Sequence, residues 1–171
     1  CWLVQTEDFA RRDLLFSSNY AYFSSTSASW VEHARAYFQM IVTELSLRAD
    51  SFVVELASND GYLLKNFVEA EIPCLGIEPT RETALHAESN GVPTIQEFFG
   101  MDLGAKLGEK YPKADLIIGN NVYAHVPDIN DFTRGIKHLL ASSGTVTLEF
   151  PHLQNLVSDC QFDTVYHEHY S

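Results

Sequence analysis

From Ser51 onward the chain alternates short apolar runs with longer amphipathic ones, and that alternation constrains its fold more than any other feature. Phe52-Val53-Val54-Glu55-Leu56, Cys74-Leu75-Gly76-Ile77, Pro93-Thr94-Ile95, Leu116-Ile117-Ile118-Gly119 and Thr145-Val146-Thr147-Leu148-Glu149-Phe150 read as strands. The spacing between them predicts helices over Gly61 to Ala70, Thr80 to Asn90, about Gly104 to Lys110, and Asp128 to Leu140. Strands joined through helices need crossover connections, which make neighbouring strands parallel and put helices on the faces of the sheet. The expected fold is therefore α/β, doubly wound and Rossmann-like. Ahead of this unit, residues 1–50 read as a separate N-terminal segment. Ser-rich, aromatic chain carrying Tyr20, Tyr22 and Phe23 leads into a capping box at Ser29-Trp30-Val31-Glu32. Trp30, Ala34, Tyr37, Ile41 and Leu45 then mark one amphipathic helix running to about Leu47.

Of the 171 residues 46% are hydrophobic, enough to build a real core. The net charge of −12, with no basic stripe, speaks against nucleic acid or an anionic membrane as partner and suits a cationic ligand. No apolar run is long enough to span a bilayer and no signal peptide is legible, so a cytoplasmic location is expected. Three scattered cysteines, Cys1, Cys74 and Cys160, read as free thiols in a reducing compartment.

Chemistry in a doubly wound sheet gathers at the carboxyl ends of its strands. After the first strand comes Glu55-Leu56-Ala57-Ser58-Asn59-Asp60-Gly61, where small residues let backbone approach a ligand and Asn, Asp and Gly tolerate unusual dihedrals. The second strand ends in Gly76-Ile77-Glu78-Pro79, which places an acidic residue where ribose hydroxyls are held in nucleotide-binding sheets. Together they indicate an adenosine-type cofactor. A dinucleotide site would carry G-x-G-x-x-G to bring a pyrophosphate onto the helix N-terminus. Here only Gly61 remains of that pattern, and Glu55 and Asp60 would repel a phosphate, so a nicotinamide dehydrogenase is disfavoured. Carboxylates suit instead the sulfonium and ammonium of S-adenosylmethionine.

The fourth strand runs into Asn120-Asn121-Val122-Tyr123-Ala124-His125-Val126-Pro127-Asp128. Asn120 is placed to orient the amino-acid end of a cofactor, while His125 either faces a substrate or simply precedes a helix entry at Pro127-Asp128. The densest group of ionisable side chains lies in the last ten residues, in Tyr166-His167-Glu168-His169-Tyr170. Acid–base chemistry, a metal site and a solvated loop all remain open there. The metal reading lacks H-E-x-x-H and a third ligand at suitable spacing.

In order and spacing, Tyr20-Ala21-Tyr22-Phe23-Ser24-Ser25, E-L-A-S-N-D-G, G-I-E-P, N-N-V-Y-A-H-V and Y-H-E-H-Y resemble one family, and the likeness runs through the whole chain. It is that of the S-adenosylmethionine-dependent C-methyltransferases acting on nucleotide-linked keto-deoxysugars. The resemblance implies a class I methyltransferase domain over residues 51–171, incomplete at its C-terminal end. It further implies a longer enzyme, with a zinc-binding domain before this region and a Rossmann-like domain after it. Cys1 would then be the last ligand of the zinc site. It implies His169 as the base that deprotonates the sugar carbon beside the ketone, with Tyr166 and Glu168 as its partners. Tyr20 and His125 would stand close to the substrate, and Glu55, Ala57, Asn59, Asp60, Gly61, Glu78, Pro79 and Asn120 would hold the cofactor. An O- or N-methyltransferase, or a non-catalytic nucleotide-binding domain, would use the same cofactor half.

Overall fold

A computed structural model of the chain describes residues 4–5, 22–161 and 169–170. Its centre is a parallel sheet of β1 (Val53–Leu56), β2 (Cys74–Ile77), β3 (Thr94–Ile95), β4 (Ala114–Asn120) and β5 (Leu140–Glu149), in the order β3-β2-β1-β4-β5. The order reverses beside β1, which leaves a crevice at the carboxyl ends of β1 and β4. The helices are α1 (Ala28–Leu45), α2 (Leu64–Glu69), α3 (Arg81–Ser89), α4 (Met101–Lys110), α5 (Ile129–Leu139) and α6 (Leu153–Ser158). Two 3-10 turns, Ser24–Thr26 and Tyr123–His125, complete the described elements.

Strand periodicity explains why both faces of the sheet are covered. Val53, Leu116 and Ile118 point to one side, where they share a core with Ala34, Ile41, Leu64, Phe67 and Ala87 from α1, α2 and α3. Val54, Leu56 and Ile117 point to the other, against Leu103 and Leu107 of α4 and Phe132, Ile136 and Leu139 of α5. Helix α1, assigned from sequence to the N-terminal segment, lays Trp30, Tyr37, Phe38, Val42 and Leu45 against the first core. Tyr37 further ties it to the sheet through a 2.6 Å hydrogen bond with Thr147.

Several element ends differ from the sequence reading, each for a local reason. The cap of α1 is Ser27, whose extended backbone lets its side chain accept from Trp30 N at 3.3 Å. Ser29, the expected cap, lies inside the first turn. Helix α2 begins three residues after Gly61, because Gly61 sits at φ 77° as the last turn of the preceding loop. Helix α4 begins at Met101 rather than near Gly104, since Asp131 of α5 accepts from Met101 N at 3.2 Å and completes its N-terminus from outside. Strand β5 begins at Leu140, before the expected Thr145, with a register shift between Ala114 and Leu116. The short helix α6 was not expected at all.

Candidate cofactor and active site

The loop after β1 is built on three residues in the left-handed region: Ala57 at φ 57°, Asn59 at φ 51° and Gly61 at φ 77°. The sequence kept glycine only at the third, yet the backbone adopts the conformation of glycine at all three. The loop folds tightly onto β2, because Gly76 has no Cβ where one would strike Ser58 Oγ. Ser58 N donates to Ile77 O at 3.2 Å, and Gly61 N closes the turn onto Ser58 O at 3.1 Å.

Three carboxylates converge there. Glu55 and Asp60 are each 1% exposed and Glu78 4%. Glu78 accepts from Asn59 N at 2.9 Å and Thr80 N at 2.8 Å, and its carboxylate is also hydrogen-bonded by the Thr80 hydroxyl. Glu55 is buried at the end of β1. Burial, and then the charges of Glu78 and Asp60, push its carboxyl well above the usual carboxylate range. Glu55 Oε2, Ser58 Oγ and Asp60 Oδ1 are buried and have no hydrogen-bond partner among the described residues. Buried polar atoms in native folds are nearly always satisfied, so three orphans around one loop mark a place that a ligand completes. A ligand bearing positive charge and donor groups fits this set, and a phosphate does not.

The Tyr62 hydroxyl lies by the side chains of Asn120, at the end of β4, and of Trp30, both of which act to lower its pKa. Tyr62 is 5% exposed, and its hydroxyl is pushed far above its ordinary range by burial and then by Glu55. Sequence reasoning passed over Tyr62 and Trp30, although Tyr62 directly follows the Asp60-Gly61 pair. Also missed was a small cluster at the ends of β4 and β5. Asn121 Nδ2 donates to Glu149 Oε1 at 2.8 Å, and His33 Nε2 stands 3.5 Å from Glu149 Oε2.

Beyond β4, His125 ends the 3-10 turn and meets His169 edge-on, with ring centroids 4.6 Å apart. Tyr170 N donates to Ala124 O at 2.8 Å, which docks the chain next to His169 against that turn. The two histidines singled out from sequence are thus neighbours. Pro79 follows Glu78, two residues before α3 begins. Tyr20, Tyr166, Glu168 and Cys1 lie outside the described residues. Among the described residues no group of three or more His, Cys, Asp or Glu could hold a metal ion. No helix there is long and apolar enough to cross a membrane.

A solved S-adenosylmethionine-dependent methyltransferase from Clostridium acetobutylicum superposes with TM-score 0.55 at 15% identity, over 72% of this chain and 52% of that one. The fold is that of the class I methyltransferases. PH0226 protein from Pyrococcus horikoshii superposes with TM-score 0.62 at 15% identity, over 86% of this chain and 66% of its own. In sequence, all 171 residues align at 34% identity with C-methyltransferase NovU of Streptomyces niveus. The chain spans 40% of the length of that relative. No family model matches the chain. In open α/β sheets ligands bind outside the carboxyl ends of the strands, where this chain carries the loop, the β2 end and the β4 end described above.

Proposed function

We propose that this chain is the catalytic methyltransferase part of a longer enzyme that methylates carbon beside the ketone of a nucleotide-linked keto-deoxysugar, using S-adenosylmethionine. The observation that carries the reading is the pairing of the His125 and His169 imidazoles beyond a crevice lined by buried carboxylates. The likeness to NovU, a C-methyltransferase, supports it.

Glu55, with Asp60 beside it, would hold the ammonium end of the cofactor, and Glu78 the ribose. Bound there, S-adenosylmethionine supplies an electrophilic methyl group for a carbon nucleophile. Carbon, unlike oxygen, becomes nucleophilic only after losing a proton, so the protein must provide a base and a donor for the enolate oxygen. His169 takes the proton from the carbon next to the carbonyl onto a ring nitrogen. His125 donates to the carbonyl oxygen as charge gathers on it. An imidazole's ordinary pKa of about 6.5 suits it to act as a base near pH 7. Tyr166, Glu168 and Tyr20 complete the proposed set, in the roles the family resemblance gives them. The same resemblance assigns Cys1 to a structural zinc site of the full-length protein.

The test is exchange at carbon. Incubated in deuterated water with the keto-sugar and S-adenosylhomocysteine, the wild-type protein is expected to wash deuterium into the position beside the ketone without methylating it. His169→Ala should lower both exchange and methyl transfer by ~10²–10⁴-fold, the range a positioned base contributes. Near-full methyl transfer in His169→Ala would overturn the mechanism. Methyl transfer without any exchange would point instead to an O- or N-methyltransferase.

A further inference from the structure

The three carboxylates are exposed by 4% or less, so the chain around them covers them. One stretch beside them lies outside the two packed cores, the segment 22–26. It reaches the loop through its backbone: Asn59 Nδ2 donates to Tyr22 O at 2.8 Å, Asn59 Oδ1 accepts from Ser24 N at 2.9 Å, and Asp60 Oδ2 accepts from Ser25 N at 3.1 Å. On its other side, Phe23 stands edge-on to His86 of α3, with centroids 5.5 Å apart. The segment therefore runs from the loop after β1 to the helix after β2, across the side of the crevice that carries Glu78.

We infer that Asn59 is a positioning residue, a latch that fastens the segment 22–26 over the cofactor loop and sets how fast the cofactor enters and leaves. The inference rests on the cofactor reading above. Its argument is chemical. Position 59 adopts φ 51°, a conformation for which glycine is the least strained choice. Asparagine accepts that region better than most residues, and it brings a donor and an acceptor on one short amide. Both are used, two residues apart on the same strand of chain. Aspartate would lack the donor and glycine both groups, so the residue that costs conformational freedom here is the one that closes the latch.

Two variants of the full-length protein test this from opposite sides. Asn59→Gly deletes both amide bonds while keeping the backbone N–H that Glu78 accepts. Ser24→Pro removes one donor from the segment and leaves the loop untouched. Proline suits that place, because Phe23 is already extended and Ser24 opens the 3-10 turn. Measured quantities are amide exchange at Ser25, the dissociation rate of S-adenosylhomocysteine, and the melting temperature. In both variants the expected result is faster exchange at Ser25 and release accelerated by ~10-fold, the change that loss of one net hydrogen bond can produce. The double variant should gain little more, since both substitutions open one device. A purely structural Asn59 would lower the melting temperature and leave the release rate alone. Wild-type exchange at Ser25 in both variants, or faster exchange with unchanged release, overturns the latch. If the wild-type protein bound no S-adenosylhomocysteine, the cofactor reading itself would fall, an outcome distinct from variants that bind and release at the wild-type rate.

Discussion

Two residues, one at the end of β1 and one in the loop after it, hold a charge or a conformation that costs stability. Ala57 occupies the left-handed region at φ 57°, where an L side chain with a Cβ is strained by ~1–2 kcal/mol. Ala57→Gly should therefore stabilise the protein by up to ~1 kcal/mol, after the extra freedom glycine gains in the unfolded chain is subtracted. Chemical denaturation would show this as a higher midpoint at unchanged slope, and a lower midpoint would refute the strain. Glu55 is the electrostatic counterpart. Its folded carboxyl is raised above the unfolded value, so its contribution to stability is complete at low pH and disappears as pH rises through the folded value. Burying this carboxyl beside two others therefore costs stability towards higher pH. Glu55→Gln is expected to raise the melting temperature by ~2–4 °C, the shift that ~1 kcal/mol gives in a chain of this size. The same substitution should weaken S-adenosylmethionine binding, and unchanged binding would remove Glu55 from the cofactor site. How much of this was legible divides at the backbone. Residue types at 55, 57, 59, 60 and 78 were enough to suggest a cationic adenosine ligand. They could not show that Ala57 and Asn59 keep a glycine-like conformation, because a dihedral angle is decided by the loop's packing on Gly76 and Ser58.

At the scale of elements, α4 and α5 approach so closely that glycines meet. A Cβ on Gly135 would stand 2.7 Å from Gly100 C and 2.9 Å from the Phe99 ring. Replacing an interior helical glycine by alanine ordinarily favours the helix by nearly ~1 kcal/mol. Here the sign should reverse. Gly135→Ala is expected to destabilise by ~1–3 kcal/mol, as overpacking of a tight core does, and thermal unfolding would read it directly. Stabilisation would mean that the two helices separate without cost. This contact also explains what periodicity missed. Strands β1, β2 and β4 were legible because two-sided burial makes them largely apolar, as in Leu116-Ile117-Ile118. Helix ends were not, since the start of α4 depends on Asp131 from another helix, and the start of α1 on the turn that delivers Ser27. The His125 and His169 contact is of the same kind: each residue was conspicuous in sequence, but only the fold brings together positions so far apart in the chain.

For the molecule as a whole, the net charge of −12 works at a longer range than any contact described above. It sets a negative potential around a crevice that already concentrates three carboxylates, and such a field draws in cations faster than neutral molecules. S-adenosylmethionine carries a sulfonium, an ammonium and one carboxylate, so its net charge is positive. S-adenosylhomocysteine lacks the sulfonium and is neutral overall. Under the proposed function the substrate form is thus steered inward and the product form is released without that pull. Raising salt shortens the Debye length to ~10 Å at ~0.1 M and should erase the difference. The association rate of S-adenosylmethionine is accordingly expected to fall several-fold between ~0.01 M and ~0.3 M salt, as steered encounters do, while that of S-adenosylhomocysteine changes little. Stopped-flow fluorescence, with Trp30 beside Tyr62 as the intrinsic reporter, can follow both ligands. Equal salt dependence for the two would mean that the charge of this chain does not act on the cofactor. The acidity would then belong to solubility alone, and discrimination between the two ligands would have to arise within the crevice, from Glu55 and its buried neighbours.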